Sequence, residues 1–286
     1  MAKKQSTSPS IPYAPIAIDE IKKRRQKVAK LLKDGVGLVY AGEHSASLRG
    51  DWEPSVEFFY LTGIADEPGA VLLLDPSNPN PRRREVLLLR GRDPEDEQWH
   101  GIREGLSPAM RDRLGVGTVF RTSRLNWLVT EAAARTGRLV TLHEPRPAPA
   151  GVNQDLAAYR LAAERVPGVG IEARWRDFYQ LIAAKSPAEQ RLVQGAIDAT
   201  LAGVRAAARE IRPGANEGAV IRTLTATFAE NGGEGNAFNP IAGSGVNATV
   251  LHYGANNRIM EDGDMLVLDS GTKMGGYCAD ITRTFP

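Results

Sequence analysis

Two aspartates carry the clearest chemical signal in the chain. The segment Asp264–Phe285 reads as two strand-like stretches around a glycine-containing turn, with Asp269 on the first and Asp280 on the second. With Met274 and Gly275 as a two-residue turn, Lys273 faces Gly276 and Asp269 faces Asp280. Directly opposed residues hold their Cβ atoms roughly 4.5–5.5 Å apart on one face, where two like charges destabilise a sheet. The same-face neighbours Val267, Gly271, Cys278 and Thr282 bring no lysine or arginine. A divalent cation held between the carboxylates answers the repulsion. The competing reading is an ordinary solvated pair, with one aspartate in a turn or the register shifted. His252 ends an apolar, strand-like stretch, Ala248–Tyr253, just before the hairpin, and so reaches toward the same site as a neutral donor or proton carrier. His44, His100 and His143 show no ligand spacing and read as surface or hydrogen-bonded histidines.

A scaffold must hold these groups. The chain has 286 residues, 42% of them hydrophobic and 24% charged, with net charge +2. At roughly 150 residues per domain this suggests two domains, each able to bury a core. Disorder and collagen-like repetition are excluded. Cys278 is the single cysteine, which rules out an intrachain disulfide and fits a reducing, cytoplasmic setting. The longest apolar runs, such as Ala70–Leu74 and Val86–Leu89, fall far short of the roughly 18 residues that cross a bilayer, so no membrane span is expected. The N-terminus, Lys3 and Lys4 followed by Ser, Thr and Pro, reads as a loose tail and not as a secretory signal. With 36 basic against 34 acidic residues, no global field draws in nucleic acid or anionic lipid.

The one basic cluster, Lys22–Lys33, sits in a helical pattern with Asp19 as N-cap, Ile21, Val28, Leu31 and Leu32 inward, and Gly35 as the stop. Its charges read as a solvated face, since no aromatic residues interleave with them as a nucleic-acid surface would require. Apolar runs at Gly37–Gly42, Phe58–Ile64, Ala70–Asp75 and Val86–Gly91 read as strands. Helical patterns follow at Pro94–Gly101 and Ser123–Thr136, with further strands at Val116–Phe120 and Leu139–Leu142. The first part, residues 1–180, is thus an α/β domain with a mixed sheet, and the proline-spaced stretch Glu144–Gly151 is an extended loop within it. Ser186-Pro-Ala-Glu189 is a capping box opening a second domain, 181–286. Its long helix shows Val193, Ile197, Leu201, Val204, Ala208 and Ile211 at helical spacing and ends at Pro213-Gly214; a second helix spans about Asn216–Asn231. Strand-like segments then run through Ala237–Gly243, Ala248–Tyr253, Met265–Gly271 and Tyr277–Phe285.

Gly243-Ser-Gly245, Leu251-His-Tyr253, Asp262-Gly-Asp264, Leu268-Asp-Ser-Gly271 and Asp280-Ile-Thr-Arg-Thr-Phe-Pro286 together closely resemble the Xaa-Pro aminopeptidases, metallopeptidases of the pita-bread fold. Upstream, Phe58-Phe-Tyr-Leu-Thr-Gly63, Glu67-Pro-Gly-Ala-Val71 and Arg92-Asp-Pro-Glu-Asp-Glu-Gln-Trp99 resemble the N-terminal domain of that family, of the creatinase/prolidase type. The resemblance implies release of the N-terminal residue from peptides with proline second, using two divalent metal ions, commonly manganese, and a bridging hydroxide. It also implies that Asp269 and Asp280 are the first two metal ligands and that Thr282 supports the carboxylates. On the same ground His252 contacts the substrate near the scissile bond, and Phe238 stands at the substrate pocket; simple core packing is the other reading of Phe238. Self-association is common in such enzymes.

One expectation departs from the family. A metal-ligating histidine and two glutamates, one taken as general base, follow the aspartate hairpin in these enzymes, and none can be assigned here. Two carboxylates do not close a two-ion shell. The residues therefore read as an N-terminal α/β domain plus the first half of an α+β pita-bread domain, inactive alone and completed by a C-terminal half that covers its open sheet edge. A dipeptide-specific prolidase and a non-catalytic pita-bread binding module are the alternatives.

Overall fold

A computed structural model describes residues 15–43, 52–146 and 152–286. His44, the N-terminal tail and most of the proline-spaced loop lie outside the described residues. The chain divides into two compact units, Ile16–Ala184 and Lys185–Pro286.

The first unit runs α1 (Ile18–Leu32), β1 (Val36–Tyr40), α2 (Val56–Thr62), β2 (Val71–Leu74), β3 (Glu85–Leu89), α3 (Pro94–His100), α4 (Pro108–Leu114), β4 (Thr118–Arg121), α5 (Leu125–Thr136), β5 (Arg138–Thr141), α6 (Gln154–Ala163), β6 (Gly170–Ala173) and α7 (Trp175–Ala183). Its six strands lie in the order β4-β3-β2-β1-β5-β6. The central pairs β1–β2 and β2–β3 are antiparallel, while β3–β4, β1–β5 and β5–β6 are parallel, which is the mixed sheet that the sequence predicts. Successive strand residues point to opposite faces, and both faces are covered. Val39, Leu72 and Leu87 pack with Val28, Leu32, Phe58 and Leu61 on one side. Leu38, Leu73 and Leu88 pack with Leu128, Val129, Ala133 and Tyr159 on the other.

Three local expectations are corrected here. Phe58–Ile64 is not a strand; it lies in and just after α2. Ser55 accepts a hydrogen bond from the Phe58 N–H as its N-cap, and Gly63 ends the helix at φ 69°, so a cap and a left-handed stop overrode the apolar run. Helix α1 starts from Ala17, with Asp19 inside its first turn, and stops at Lys33 with φ 57°, before Gly35. Its basic cluster is not all solvated. Arg24 is 5% exposed and Arg25 fully buried. Arg25 donates to Glu85 Oε2 at 2.7 Å, to the Leu61 carbonyl at 2.9 Å and to the Gly115 carbonyl at 2.5 Å, so this charge ties α1 to β3, α2 and the end of α4.

The second unit consists of α8 (Pro187–Ala207), α9 (Glu217–Glu230), β7 (Ile241–Ser244), β8 (Leu266–Ser270), β9 (Lys273–Met274), β10 (Tyr277–Cys278) and β11 (Ile281–Phe285). The capping box is formed as read: Ser186 Oγ accepts from the Glu189 N–H at 3.3 Å and Glu189 Oε2 from the Ser186 N–H at 2.8 Å. The buried face of α8 differs from the expected one. Gly195, Ala196, Ala199, Gly203 and Ala207 are buried, and of the large apolar positions read from the sequence only Val204 joins them. Small residues let α9 approach: a Cβ at Gly203 would stand 2.4 Å from the Phe228 ring. Strands β11, β8 and β7 form an antiparallel sheet with β8 in the middle.

Candidate metal centre

Strand β8 alternates Leu266, Leu268 and Ser270 into the interior with Val267 and Asp269 toward the other face. Asp269 is paired on both sides, with Ile241 of β7 and with Thr282 of β11. The register therefore lies two residues from the one expected. The turn is Gly275-Gly276, at φ 56° and 78°, between the paired Met274 and Tyr277. Two successive positive φ values suit a tight hairpin turn with the right-handed twist of its strands, and glycine adopts both without strain. A shift of two residues leaves every side chain on its own face, so the aspartates stay on one side of the sheet although Asp280 is not directly opposite Asp269.

Gly271 brings the two carboxylates together. A Cβ there would lie 1.8 Å from the Ala279 carbonyl oxygen, so only glycine lets the chain at Ala279–Asp280 cross so close to the end of β8. Asp280 then stands beside Asp269 on the same face, close enough to feel its charge. Burial first, and then the charge of Asp269, pushes the Asp280 carboxyl above its ordinary range. The Thr282 hydroxyl donates to Asp269 Oδ1 at 2.7 Å. Among the described residues, no lysine, arginine or histidine forms an ion pair with either aspartate. Helix α8 fixes the hairpin from behind: the buried Thr200 hydroxyl oxygen accepts from the Thr272 N–H at 3.1 Å and donates to the Ala196 carbonyl at 2.7 Å.

His252 is not at the end of a strand. Residues 245–249 form a 3-10 turn, and His252 is exposed in the turn that follows, with no hydrogen bond to either aspartate among the described residues. The expected strand Ala237–Gly243 is likewise shortened to β7. Ala237 donates its N–H to the Gly271 carbonyl at 2.8 Å, whereas Ile241 already pairs with Asp269, so Phe238, Asn239 and Pro240 bulge opposite Ser270 alone. Phe238 is half-buried in that bulge. Asp269, Asp280 and Thr282 are thus brought together, while His252 and Phe238 stand on the adjoining segments.

Sequence reasoning missed Glu217, which organises those segments. This fully buried residue opens α9. Its Oε1 accepts from the Ser244 N–H and hydroxyl, both at 2.7 Å, and its Oε2 accepts from the Tyr253 hydroxyl and the Arg258 N–H, both at 2.9 Å. One carboxylate so joins the end of β7 to the loop that carries His252. Burial pushes the Glu217 carboxyl up, but the donors from Ser244, Arg258 and Tyr253 outweigh it and hold it below the usual range. Its one signal in the sequence is an acidic residue at the start of the expected helix, directly after Asn216, which caps α9; an acid in a first helical turn is ordinarily accounted for by helix electrostatics.

As a donor set, two carboxylates supply hard oxygen ligands of the kind that manganese and magnesium take. Mutual repulsion without a cationic partner fits such an ion. The count fits only part of a centre, since no group of three or more His, Cys, Asp or Glu placed to hold a metal ion occurs among the described residues.

Residues 191–286 match Metallopeptidase family M24, and residues 21–141 match the aminopeptidase P N-terminal domain. The two parts of the chain are thus similar, in order, to the two domains of aminopeptidase P. The chain is 31% identical to the Xaa-Pro aminopeptidase of Escherichia coli K12 over 282 residues, covering 95% of this chain and 62% of that protein. With the Xaa-Pro aminopeptidase of Haemophilus influenzae it shares 28% identity over 94% of its own length and 60% of the relative's. Among solved structures, it is similar to E. coli aminopeptidase P in a low-pH form, with TM-score 0.83 and 28% identity over 96% of this chain and 63% of that one. It also resembles a putative aminopeptidase P from Bacillus anthracis, with TM-score 0.82, 26% identity and 94% and 64% coverage. The chain spans about three fifths of the length of these relatives. The fold of the family is accordingly present as the α/β N-terminal domain followed by part of the α+β pita-bread metallopeptidase domain. No helix among the described residues is long and apolar enough to cross a membrane.

Proposed function

We propose that the chain forms the N-terminal portion of a metal-dependent aminopeptidase that releases the first residue from peptides with proline at the second position. The observation that supports this most is the placing of Asp280 beside Asp269 on one face of the sheet, in a chain whose residues 191–286 match Metallopeptidase family M24. Asp269 and Asp280 are the metal ligands on this chain, and Thr282 orients the Asp269 carboxylate through its hydroxyl. His252 meets the peptide near the scissile bond, and Phe238 stands at the substrate pocket. Two divalent ions, manganese first among them, would supply an acidified water and polarise the peptide carbonyl when bound. Each ion takes about six oxygen or nitrogen donors, more than two carboxylates provide. The remaining donors and the general base therefore come from a complementing C-terminal half, the chain alone is inactive, and the assembled enzyme is a cytoplasmic homo-oligomer.

The test is hydrolysis of Xaa-Pro dipeptides and of longer Xaa-Pro peptides with added manganese, by the chain alone and with a complementing C-terminal half. Turnover of longer peptides only by the complemented chain is the expected result. Turnover by the isolated chain would overturn the divided site, and turnover of dipeptides alone would make the enzyme a prolidase. Manganese binding without any turnover in the complemented form would favour a binding module.

A further inference from the structure

A second candidate site lies in the first unit and is independent of the reading of the aspartate pair. A cavity of about 470 Å³ opens beyond the carboxyl ends of the parallel neighbours β1 and β5. From β1 the chain passes to β2 on one side, and from β5 to β6 on the other. Open α/β sheets bind ligands at such a reversal, because the diverging connections leave a crevice between them.

The side chains that converge there share one electrostatic character. Glu57, near the start of α2, is 12% exposed. It accepts from the Tyr179 hydroxyl of α7 at 2.6 Å, and His143 Nδ1 lies 3.7 Å from the same oxygen, Oε1. Burial pushes the Glu57 carboxyl up, but the His143 imidazole and the Tyr179 hydroxyl outweigh it and hold it at about 2, so it is ionised throughout the physiological range. The hydroxyl of Tyr40, the last residue of β1, is pushed up by burial and then by the charges of Asp155 and Glu43. With Nδ1 turned to Glu57, His143 Nε2 is buried and has no partner among the described residues. In the neutral ring that keeps its proton on Nδ1 toward Glu57, Nε2 is an acceptor, so a carboxylate and an unanswered ring nitrogen in one cavity ask for N–H donors that carry positive charge. Tyr40 and Tyr179 line the same cavity, and aromatic rings are compatible with a cation there. At the rim, Glu144 and Arg146 are exposed and opposite in sign, so they leave this balance unchanged.

We propose that this cavity is a binding site for an organic primary ammonium group, held by Glu57 and His143 Nε2 between Tyr40 and Tyr179. The group can belong to a free amine or to a lysine side chain of a peptide, and the cavity volume admits either.

Isothermal titration of the full chain with n-butylammonium, Nα-acetyl-lysine amide and n-butanol tests the proposal. Saturable one-to-one binding of n-butylammonium is expected, at least about tenfold tighter than n-butanol, and weakened about tenfold or more in Glu57→Gln. Binding of the lysine derivative as well would extend the site to peptide-borne ammonium groups, and its failure to bind beside a bound n-butylammonium would restrict the site to free amines; both results uphold it. Equal affinity for the alcohol, an unchanged Glu57→Gln variant, or no saturation at about 10 mM would overturn it. The comparison of amine with alcohol uses the unmodified chain, so a poorly folding variant does not leave the question open.

Discussion

At the scale of single residues, the metal reading rests on three side chains whose contributions can be separated. Asp280→Ala removes a proposed ligand outright and should weaken manganese binding to the chain by at least about tenfold, read by electron paramagnetic resonance titration. Thr282→Ala leaves both carboxylates but frees the Asp269 Oδ1 that its hydroxyl holds, and a loss of about tenfold is expected from such an orienting group. Unchanged affinity in both variants would remove the pair from the metal site. Glu57 allows a test without metal. Its carboxyl stands at about 2 against an ordinary 4.5, a depressed value, so the stability it contributes is present above pH 4.5 and is lost as pH falls toward 2. That contribution is at most about 3 kcal/mol. Urea unfolding between pH 3 and 7 should show this slope in the unmodified chain and lose it in Glu57→Gln.

At the scale of elements, the site depends on backbone approach more than on side-chain identity. Gly271→Ala would drive a Cβ into the Ala279 carbonyl at 1.8 Å, and backbone cannot swing aside as a side chain can. The expected outcome is a loss of about 3 kcal/mol or more in stability together with the loss of manganese binding, because separating 279–280 from β8 also separates Asp280 from Asp269. Ordinary stability by chemical denaturation would contradict this account of the hairpin. Glu217→Ala leaves the Ser244 and Arg258 N–H groups without their acceptor, at a cost of about 2–5 kcal/mol. Hydrogen exchange should show the 253–258 amides losing protection before those of α8, whose capping box and buried small-residue face do not use Glu217.

At the scale of the whole molecule, the first unit has its own two-faced core, with apolar clusters on either side of a six-stranded sheet. Residues 16–184 expressed alone should therefore fold cooperatively, with dispersed amide spectra and a single denaturation transition; a collapsed, undispersed spectrum would refute this. Much of this organisation was legible beforehand. The capping box at Ser186, the strands expected at Ala70–Asp75 and Val86–Gly91, and the placing of Asp269 and Asp280 on one face depend on local caps, apolar runs and the two-residue period, all properties of neighbouring residues. What escaped the sequence depended on residues distant along the chain. Arg25 looked like surface charge until Glu85, Leu61 and Gly115 came round to it. The large residues of α8 looked like its inward face until Phe228 required glycine at position 203. His252 looked like a strand end until Glu217 tied its loop to β7. Alternation along the aspartate hairpin placed Asp269 and Asp280 on one face from the sequence, because it survives a two-residue slip. Only the tertiary structure decided register, buried charge and the pinning of loops, because these are set by partners that short-range periodicity does not contain.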